Sequence, residues 1–207
     1  MIDLYSSPTP NGRKISIMLE ELGVDFNPIL INLDKKEQFS EHFSKISPAN
    51  KIPVIVDNDN NQTVFESGAI LLYLAKKYDK FLDKDKYWEI IQWVFFQMAY
   101  VGPMLGQAHQ YLFYHPGKSK FAEDKTKGYA QHIYSILDKR LSKQEYFSDT
   151  YSIADISIWP WTARYERHQI NLHDYPNVLR WYEQISKRPA VIKGYNSVGE
   201  FYEIPKP

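Results

Sequence analysis

Three short stretches set polar side chains at the point where an apolar run begins. S-S-P-T-P-N-G, residues 6–12, carries a hydroxyl at Thr9 and a carboxamide at Asn11. N-K-I-P-V-I-V-D, residues 50–57, puts Pro53 at the head of an apolar strand, where no ladder donor is lost. E-S-G-A-I-L-L-Y, residues 66–73, places the Glu66 carboxylate and the Ser67 hydroxyl at the mouth of an apolar helix. A helix N-terminus favours an anion. Glu66 and Ser67 can therefore hold a zwitterion, Glu66 taking the ammonium while Ser67 and the helix end take the carboxylate. If the Ile52–Pro53 bond is cis, as about 5–6% of X–Pro bonds are, Ile52 turns its N–H and C=O outward, ready to pair with a peptide. Each residue alone also has an ordinary use, as a strand start, a Ser cap or turn chemistry beside prolines. The combination points to a site.

Composition narrows what such a site can do. The chain has 207 residues, 43% apolar, with 16 Tyr, 11 Phe and 5 Trp, enough to bury the core of one large domain or two small ones. Lys plus Arg and Asp plus Glu balance at 25 each, and no basic stripe interleaved with aromatics favours nucleic acid. The start, M-I-D-L-Y-S-S-P, lacks a cationic region followed by an apolar run, so no signal peptide is expected. The longest apolar patch, 69–75, is far too short to span a membrane. These features lead to the expectation of a cytoplasmic protein with neither a nucleic-acid nor a membrane partner. There is no cysteine, which removes disulfides, thiolate metal sites and a C-x-x-C redox pair. The six His have no i, i+4 pair, and no metal is expected.

The elements that must position these residues follow from periodicity. Residues 2–5 read as a strand, 13–22 as a helix ended by Gly23, and 26–33 as a second strand. Residues 35–46 suggest a short exposed helix, and 53–57 and 62–65 are strands around the turn D-N-D-N-N. A helix over 67–78 closes this half. The order βαβ-α-ββα, with a proline opening the third strand, is thioredoxin-like. After residue 84 the pattern is helical throughout: an aromatic run from 88, interrupted at Gly102-Pro103 and resuming to 114, then 124–141. Ser152 and Asp155 form a capping-box variant for an apolar helix reaching about 168; Tyr175-Pro176 opens a last helix and Arg188-Pro189 ends it. The expected fold is α/β plus all-α: a thioredoxin-like domain over 1–80, then an all-helical bundle over 86–207.

That order, with I-P-V and E-S-G-A-I in these places and Y-S-I-A-D-I in the second half, resembles the glutathione transferase family over almost the whole chain. P-T-P-N-G, S-P-A-N-K-I-P, F-E-S-G-A-I-L-L-Y-L and G-P-M-L-G-Q together are similar to its bacterial nu class. The resemblance implies a disulfide reductase that uses glutathione itself, with weaker transferase activity. It also implies a homodimer and a cleft in which Glu66 and Ser67 take the γ-glutamyl end of glutathione. Ile52, preceding Pro53, pairs with the cysteinyl backbone by strand addition, and Gln38 and Lys51 border the glycyl or glutamyl ends. Lys51 reads equally well as a solvated lysine.

The ligand's thiol then falls beside P-T-P-N-G. Bringing a thiol of pKa about 8.5 to roughly 7 takes about 2 kcal/mol. One hydrogen bond to a charged group contributes roughly 1.5–3 kcal/mol and a helix N-terminus about 0.3–1. A donor from Thr9 or Asn11 is therefore sufficient without a general base, and Tyr5 reads as strand packing. A second ligand needs walls from the helical half, for which Met104, Gln107 and His109 are the candidates, each equally readable as helix packing. His132 stands where the class tends to offer a more basic residue. Two other activities stay open: conjugation of glutathione to electrophiles at the same site, and non-enzymatic glutathione binding.

Overall fold

The computed structural model describes residues 1–207, which divide into two compact units: Met1–Leu82 with Lys187–Ile204, and Asp83–Ser186 with Pro205–Pro207. In the first unit, strands β1 (Ile2–Ser6), β2 (Phe26–Leu30), β3 (Val54–Asp57) and β4 (Gln62–Phe65) form a sheet in the order β2-β1-β3-β4. β1 pairs parallel with β2, while β3 runs antiparallel to both β1 and β4. Helices α1 (Pro10–Leu22) and α3 (Ser67–Tyr78) pack against each other, and α2 (Glu41–Ile46) precedes β3. The thioredoxin-like arrangement expected from sequence is the one observed.

Local chemistry explains most boundaries. Thr9 caps α1 through a 3.2 Å bond that its Oγ1 accepts from the Gly12 N–H, and Pro10 takes the first helical position. Helix α1 thus begins three residues before the apolar stripe suggests. It stops at Gly23, whose φ of 69° is left-handed. The helix expected over 35–46 divides in two. Extended Ser40 caps α2 by accepting from the Phe43 N–H, leaving a separate 3₁₀ turn over Glu37–Phe39.

The helical domain expected from sequence includes residues 187–204, but these pack with the first unit. Helix α9 (Pro189–Tyr195) lies on α1 so closely that a Cβ on Gly194 would meet the Ile17 Cα at 2.6 Å. Ser16 Oγ donates to the Gly194 carbonyl at 2.6 Å, and Arg13 Nε donates to the Tyr195 carbonyl at 3.0 Å. Arg188 grips Glu21 with two bonds of 2.6 and 2.8 Å. These contacts are long-range, which is why periodicity alone ends the helix at Pro189 and leaves its destination open.

In the second unit, α4 (Tyr87–Phe96) and α5 (Gly102–Ala108) are joined by a π turn over Gln97–Val101, and a second π turn over His109–Tyr114 follows. The expected interruption at Gly102-Pro103 is therefore a widening, not a break. The Gly102 N–H reaches five residues back to the Gln97 carbonyl, absorbing the bond that Pro103 cannot donate. Helices α6 (Lys120–Leu141), α7 (Ile153–Thr162) and α8 (Pro176–Ser186) complete the bundle. Helix α7 stops at Thr162, short of the expected 168, and the chain tightens to a 3₁₀ turn over Tyr165–His168.

Ser152 and Asp155 form a complete capping box. The fully buried Asp155 carboxylate also accepts from the Phe147 N–H at 3.1 Å and Trp181 Nε1 at 2.9 Å, tying α8 to the start of α7. Burial pushes this carboxyl up to about 6 although its hydrogen bonds pull it down. The folded value exceeds the unfolded value of about 3.9, so the native state takes up a proton first and this group adds stability as pH falls from 7 toward 4. We predict that the gap in unfolding free energy between the parent and Asp155→Asn widens between pH 7 and pH 5. Urea titrations check this, and a constant gap contradicts it.

Candidate active site

The loop from β1 into α1 and the loop into α3 meet in the first unit. A cavity of about 160 Å³ is lined by Asn11, Lys51, Ile52, Pro53, Glu66 and Ser67, together with residues of the 47–49 turn and Phe65. The Ile52–Pro53 bond is cis. The ladders of β3 begin at Val54, so Ile52, two residues earlier, lies beyond the sheet's hydrogen bonding, where it lines the cavity. Glu66 occupies the N-cap position of α3 but makes no capping bond there, and its φ of 69° is costly for a residue with a Cβ. Strain of this kind collects at ligand clamps. Its exposed carboxylate and the buried Ser67 hydroxyl stand side by side at the helix mouth.

Thr9 stands on the other side of the same loop. It lines a second cavity of about 290 Å³ together with Ser7, Leu33, Asp34, Glu200 and Tyr202. The loop is held from behind: Ser7 Oγ donates to the Ile31 carbonyl, and a Cβ at Gly12 would sit 2.2 Å from the Ser7 carbonyl oxygen. The Thr9 hydroxyl accepts the cap bond with its oxygen and keeps its own hydrogen for donation, so capping and stabilising an anion are compatible. Tyr5 packs its ring against Phe43 and reaches His42 Nε2 at 3.4 Å, consistent with strand packing.

This fold has counterparts among known proteins. Residues 1–76 match the family model for the glutathione S-transferase N-terminal domain, and residues 100–189 match the model for its C-terminal domain. The chain belongs to the glutathione S-transferase family. It is 44% identical to the disulfide-bond oxidoreductase YfcG of Escherichia coli, covering 92% of each chain. A glutathione transferase from Burkholderia graminis, solved with two glutathione molecules per subunit, superposes with a TM-score of 0.89 at 38% identity, covering 95% of this chain and 88% of that one. Another from Pseudomonas putida, with one glutathione disulfide per subunit, gives 0.89 at 36% identity over 94% and 90% of the two chains.

Not every residue expected at the site lines these cavities. Gln38 is half-buried on the 3₁₀ turn before α2 and lines neither, since the division at Ser40 separates that turn from the helix. Met104 and Gln107 lie three residues apart on α5, the first half-buried and the second exposed. His132 is exposed on α6, with its ring edge-on to Tyr100 at 6.5 Å. His109 is not a ligand wall. It is buried, stacked on Trp161, and its Nε2 lies 2.9 Å from His168 Nε2, which in turn bonds Tyr134 through Nδ1 at 3.0 Å. Burial, then Arg167 and Arg164, hold His109 down to about 4, so this pair stays neutral and packs the bundle.

One side chain bonded to the cavity lining is not among the residues expected from sequence. Lys14 on α1 is only 1% exposed, and its Nζ donates to Ser67 Oγ at 3.2 Å. Its position four residues before Met18, on the face carrying the apolar stripe, was the available signal. The cap at Thr9 makes a separate forecast. Thr9→Ala should lower the unfolding free energy by about 1 kcal/mol, while Thr9→Ser leaves it nearly unchanged; equal urea midpoints for all three chains would refute the capping role.

Proposed function

We propose that this chain reduces disulfides with glutathione as the electron donor. The observation that carries this is the single cavity uniting Asn11, Ile52, Glu66 and Ser67 beside the capped start of α1, in a chain with no cysteine. The γ-glutamyl ammonium goes to Glu66, its carboxylate to Ser67 and the α3 N-terminus, and the cysteinyl backbone to Ile52. That places the thiol against the Thr9–Asn11 loop, where two neutral donors and the α1 dipole favour the thiolate. Lys51 borders the peptide. Met104, Gln107 and His132 are the helical unit's candidates for holding a second ligand, and Gln38 is a candidate for bordering the glycyl or glutamyl end.

The chemistry is thiol–disulfide exchange. The glutathione thiolate attacks one sulfur of the substrate; the S–S bond breaks, a mixed disulfide forms and the other sulfur leaves as a thiolate that takes a proton from water. A second glutathione thiolate attacks the mixed disulfide, releasing the second thiol and glutathione disulfide. Two electrons pass from two glutathiones to the substrate, and the protein carries none of them. The second cavity, flanking Thr9, is where the disulfide's other half fits. Its apolar walls, Leu30 and Leu33, also admit an aryl electrophile, so conjugation is the second reading. We place the protein in the cytoplasm, whose glutathione pool keeps thiols reduced; no helix is long and apolar enough to cross a membrane.

The chain also reads as a homodimer. Trp88 and Phe95, seven residues apart on one face of α4, are 77% and 62% exposed, an apolar stripe that a second copy covers.

Two experiments test these readings. Glutathione with hydroxyethyl disulfide, against glutathione with an aryl halide, should give much faster turnover of the disulfide; the reverse ranking refutes reductase as the main activity. Within that assay, Thr9→Ala and Asn11→Ala should lower kcat roughly 10- to 100-fold, while Glu66→Ala mainly raises the glutathione KM. In light scattering, the parent should run at twice the chain mass and Trp88→Asp/Phe95→Asp at once the chain mass; a monomeric parent disposes of the dimer.

A further inference from the structure

One buried hydroxyl holds the stretch of chain that leads from α2 to Pro53. Ser47 follows the last residue of α2, is 1% exposed, and lines the 160 Å³ cavity with Lys51 and Ile52. Its Oγ accepts from the Lys51 N–H at 3.0 Å and donates to the Lys51 carbonyl at 2.8 Å. A hydroxyl has one hydrogen to give, and here it goes to that carbonyl. The turn itself closes through the backbone: the Ser47 N–H donates to the Phe43 carbonyl and the Ser47 carbonyl accepts from the Asn50 N–H, both at 2.9 Å. Asn50 supplies a left-handed φ of 52°, which Asn tolerates, and its side-chain oxygen accepts from Ser44 Oγ at 2.8 Å. Phe43, buried with Ile31 and Val54, ties the end of α2 to the sheet.

The two bonds to Lys51 bear on its neighbour. The N–H and the carbonyl of Lys51 belong to the two peptide planes on either side of its Cα, so one hydroxyl fixes both planes. The second plane also carries the Ile52 N–H. That peptide is trans, and in a planar trans peptide the N–H points opposite to the carbonyl. Holding the Lys51 carbonyl on Ser47 therefore fixes the direction of the Ile52 N–H, away from the hydroxyl. Resting on the glutathione reading, we propose that Ser47 is a positioning residue for the cysteinyl backbone of glutathione. It touches no reacting atom. It sets the Ile52 N–H before the ligand arrives, so that strand addition at Ile52 has only the ligand left to order. The backbone bonds to Phe43 and from Asn50 already close the turn; the hydroxyl acts on residue 51, next to the one that receives the peptide.

The test uses the whole chain with Ser47→Ala, which removes both side-chain bonds, and Ser47→Thr, which keeps the hydroxyl. The Ser47 backbone is extended, with φ −133° and ψ 94°, and a β-branched residue adopts that readily. Calorimetric binding of S-methylglutathione should weaken about 5- to 30-fold in Ser47→Ala and stay within about three-fold of the parent in Ser47→Thr. The glutathione KM should follow these affinities, with kcat at saturation unchanged within about three-fold. Unchanged affinity in folded Ser47→Ala, a loss confined to kcat, or no recovery in folded Ser47→Thr overturns the proposal. If neither variant folds, amide hydrogen exchange in the parent decides. In the ligand-free chain the Lys51 N–H should exchange at least about ten-fold more slowly than in an unstructured peptide. S-methylglutathione should then slow the Ile52 N–H and leave Lys51 nearly unchanged. A Lys51 N–H protected only once the ligand binds, or an Ile52 N–H that the bound ligand leaves untouched, overturns the positioning role while glutathione binding stands. A parent that binds no S-methylglutathione at all refutes the glutathione reading itself.

Discussion

Helix α1 is buried from Gly12 to Leu19, and a helix in that position must satisfy its orphan N-terminal donors with whatever the preceding loop carries. Here the loop carries Thr9, whose hydroxyl takes the Gly12 N–H. Gly12 lets the turn approach the Ser7 carbonyl more closely than any Cβ permits. The same burial leaves two cations, Arg13 and Lys14, inside the unit with nowhere to go but sideways. Arg13 stacks over the Tyr195 ring at 3.5 Å and bonds its carbonyl, recruiting α9 from the far end of the chain. Lys14 turns the other way, to the mouth of α3. One buried first turn thus ties together the loop before α1, the mouth of α3 and the docking of the C-terminal segment.

The helical unit depends on a comparable anchor of opposite sign. Asp155 is a buried acceptor that gathers the start of α7, the 147 backbone and the Trp181 indole. Around it the bundle is aromatic, with Phe147 edge-on to Trp181 and Trp159 stacked on Tyr182. The His109–His168–Tyr134 chain is another internal polar feature, linked by side-chain hydrogen bonds of 2.9 and 3.0 Å. A residue used in this way cannot also face a ligand. Sequence position alone did not separate His109 from its neighbours Met104 and Gln107, because all three stand on one helical stretch and only packing decides which ring turns inward.

What was legible in the chain was what is local. Gly23 ending α1, the hairpin over 57–62 and the Ser152–Asp155 box each follow from a few adjacent residues. The combination of Ile52–Pro53 with Glu66–Ser67 was legible for a similar reason: each half sits at an element boundary, where side-chain chemistry and backbone geometry constrain one another. The misreadings share a different cause. Ser40 splits a periodic run because a cap bond is available, the π turn before Pro103 absorbs a lost hydrogen bond, and 187–204 crosses back to the first unit through side chains remote in sequence. Lys14 is unexpected because a lysine on a helix is ordinarily a solvated residue, and its place one turn before Met18 is the one local sign of its burial.

A chain without cysteine constrains its own chemistry. On the proposed reading, the sulfur, the electrons and the titrating thiol all arrive with glutathione, and the protein contributes groups that stay put. Thr9 and Asn11 do not ionise in water's working range, and helix dipoles carry no proton at all. Such groups shift the ligand's thiol by favouring its charged form without adding a titration of their own. The charge that the protein does bring, on Glu66, stands at the mouth of α3 and on the same reading meets the other end of the ligand. Affinity and thiol activation are thereby assigned to different helix N-termini, α3 and α1. On that reading the division lets a strained Glu66 tighten binding of the γ-glutamyl end without altering the electrostatics at the sulfur.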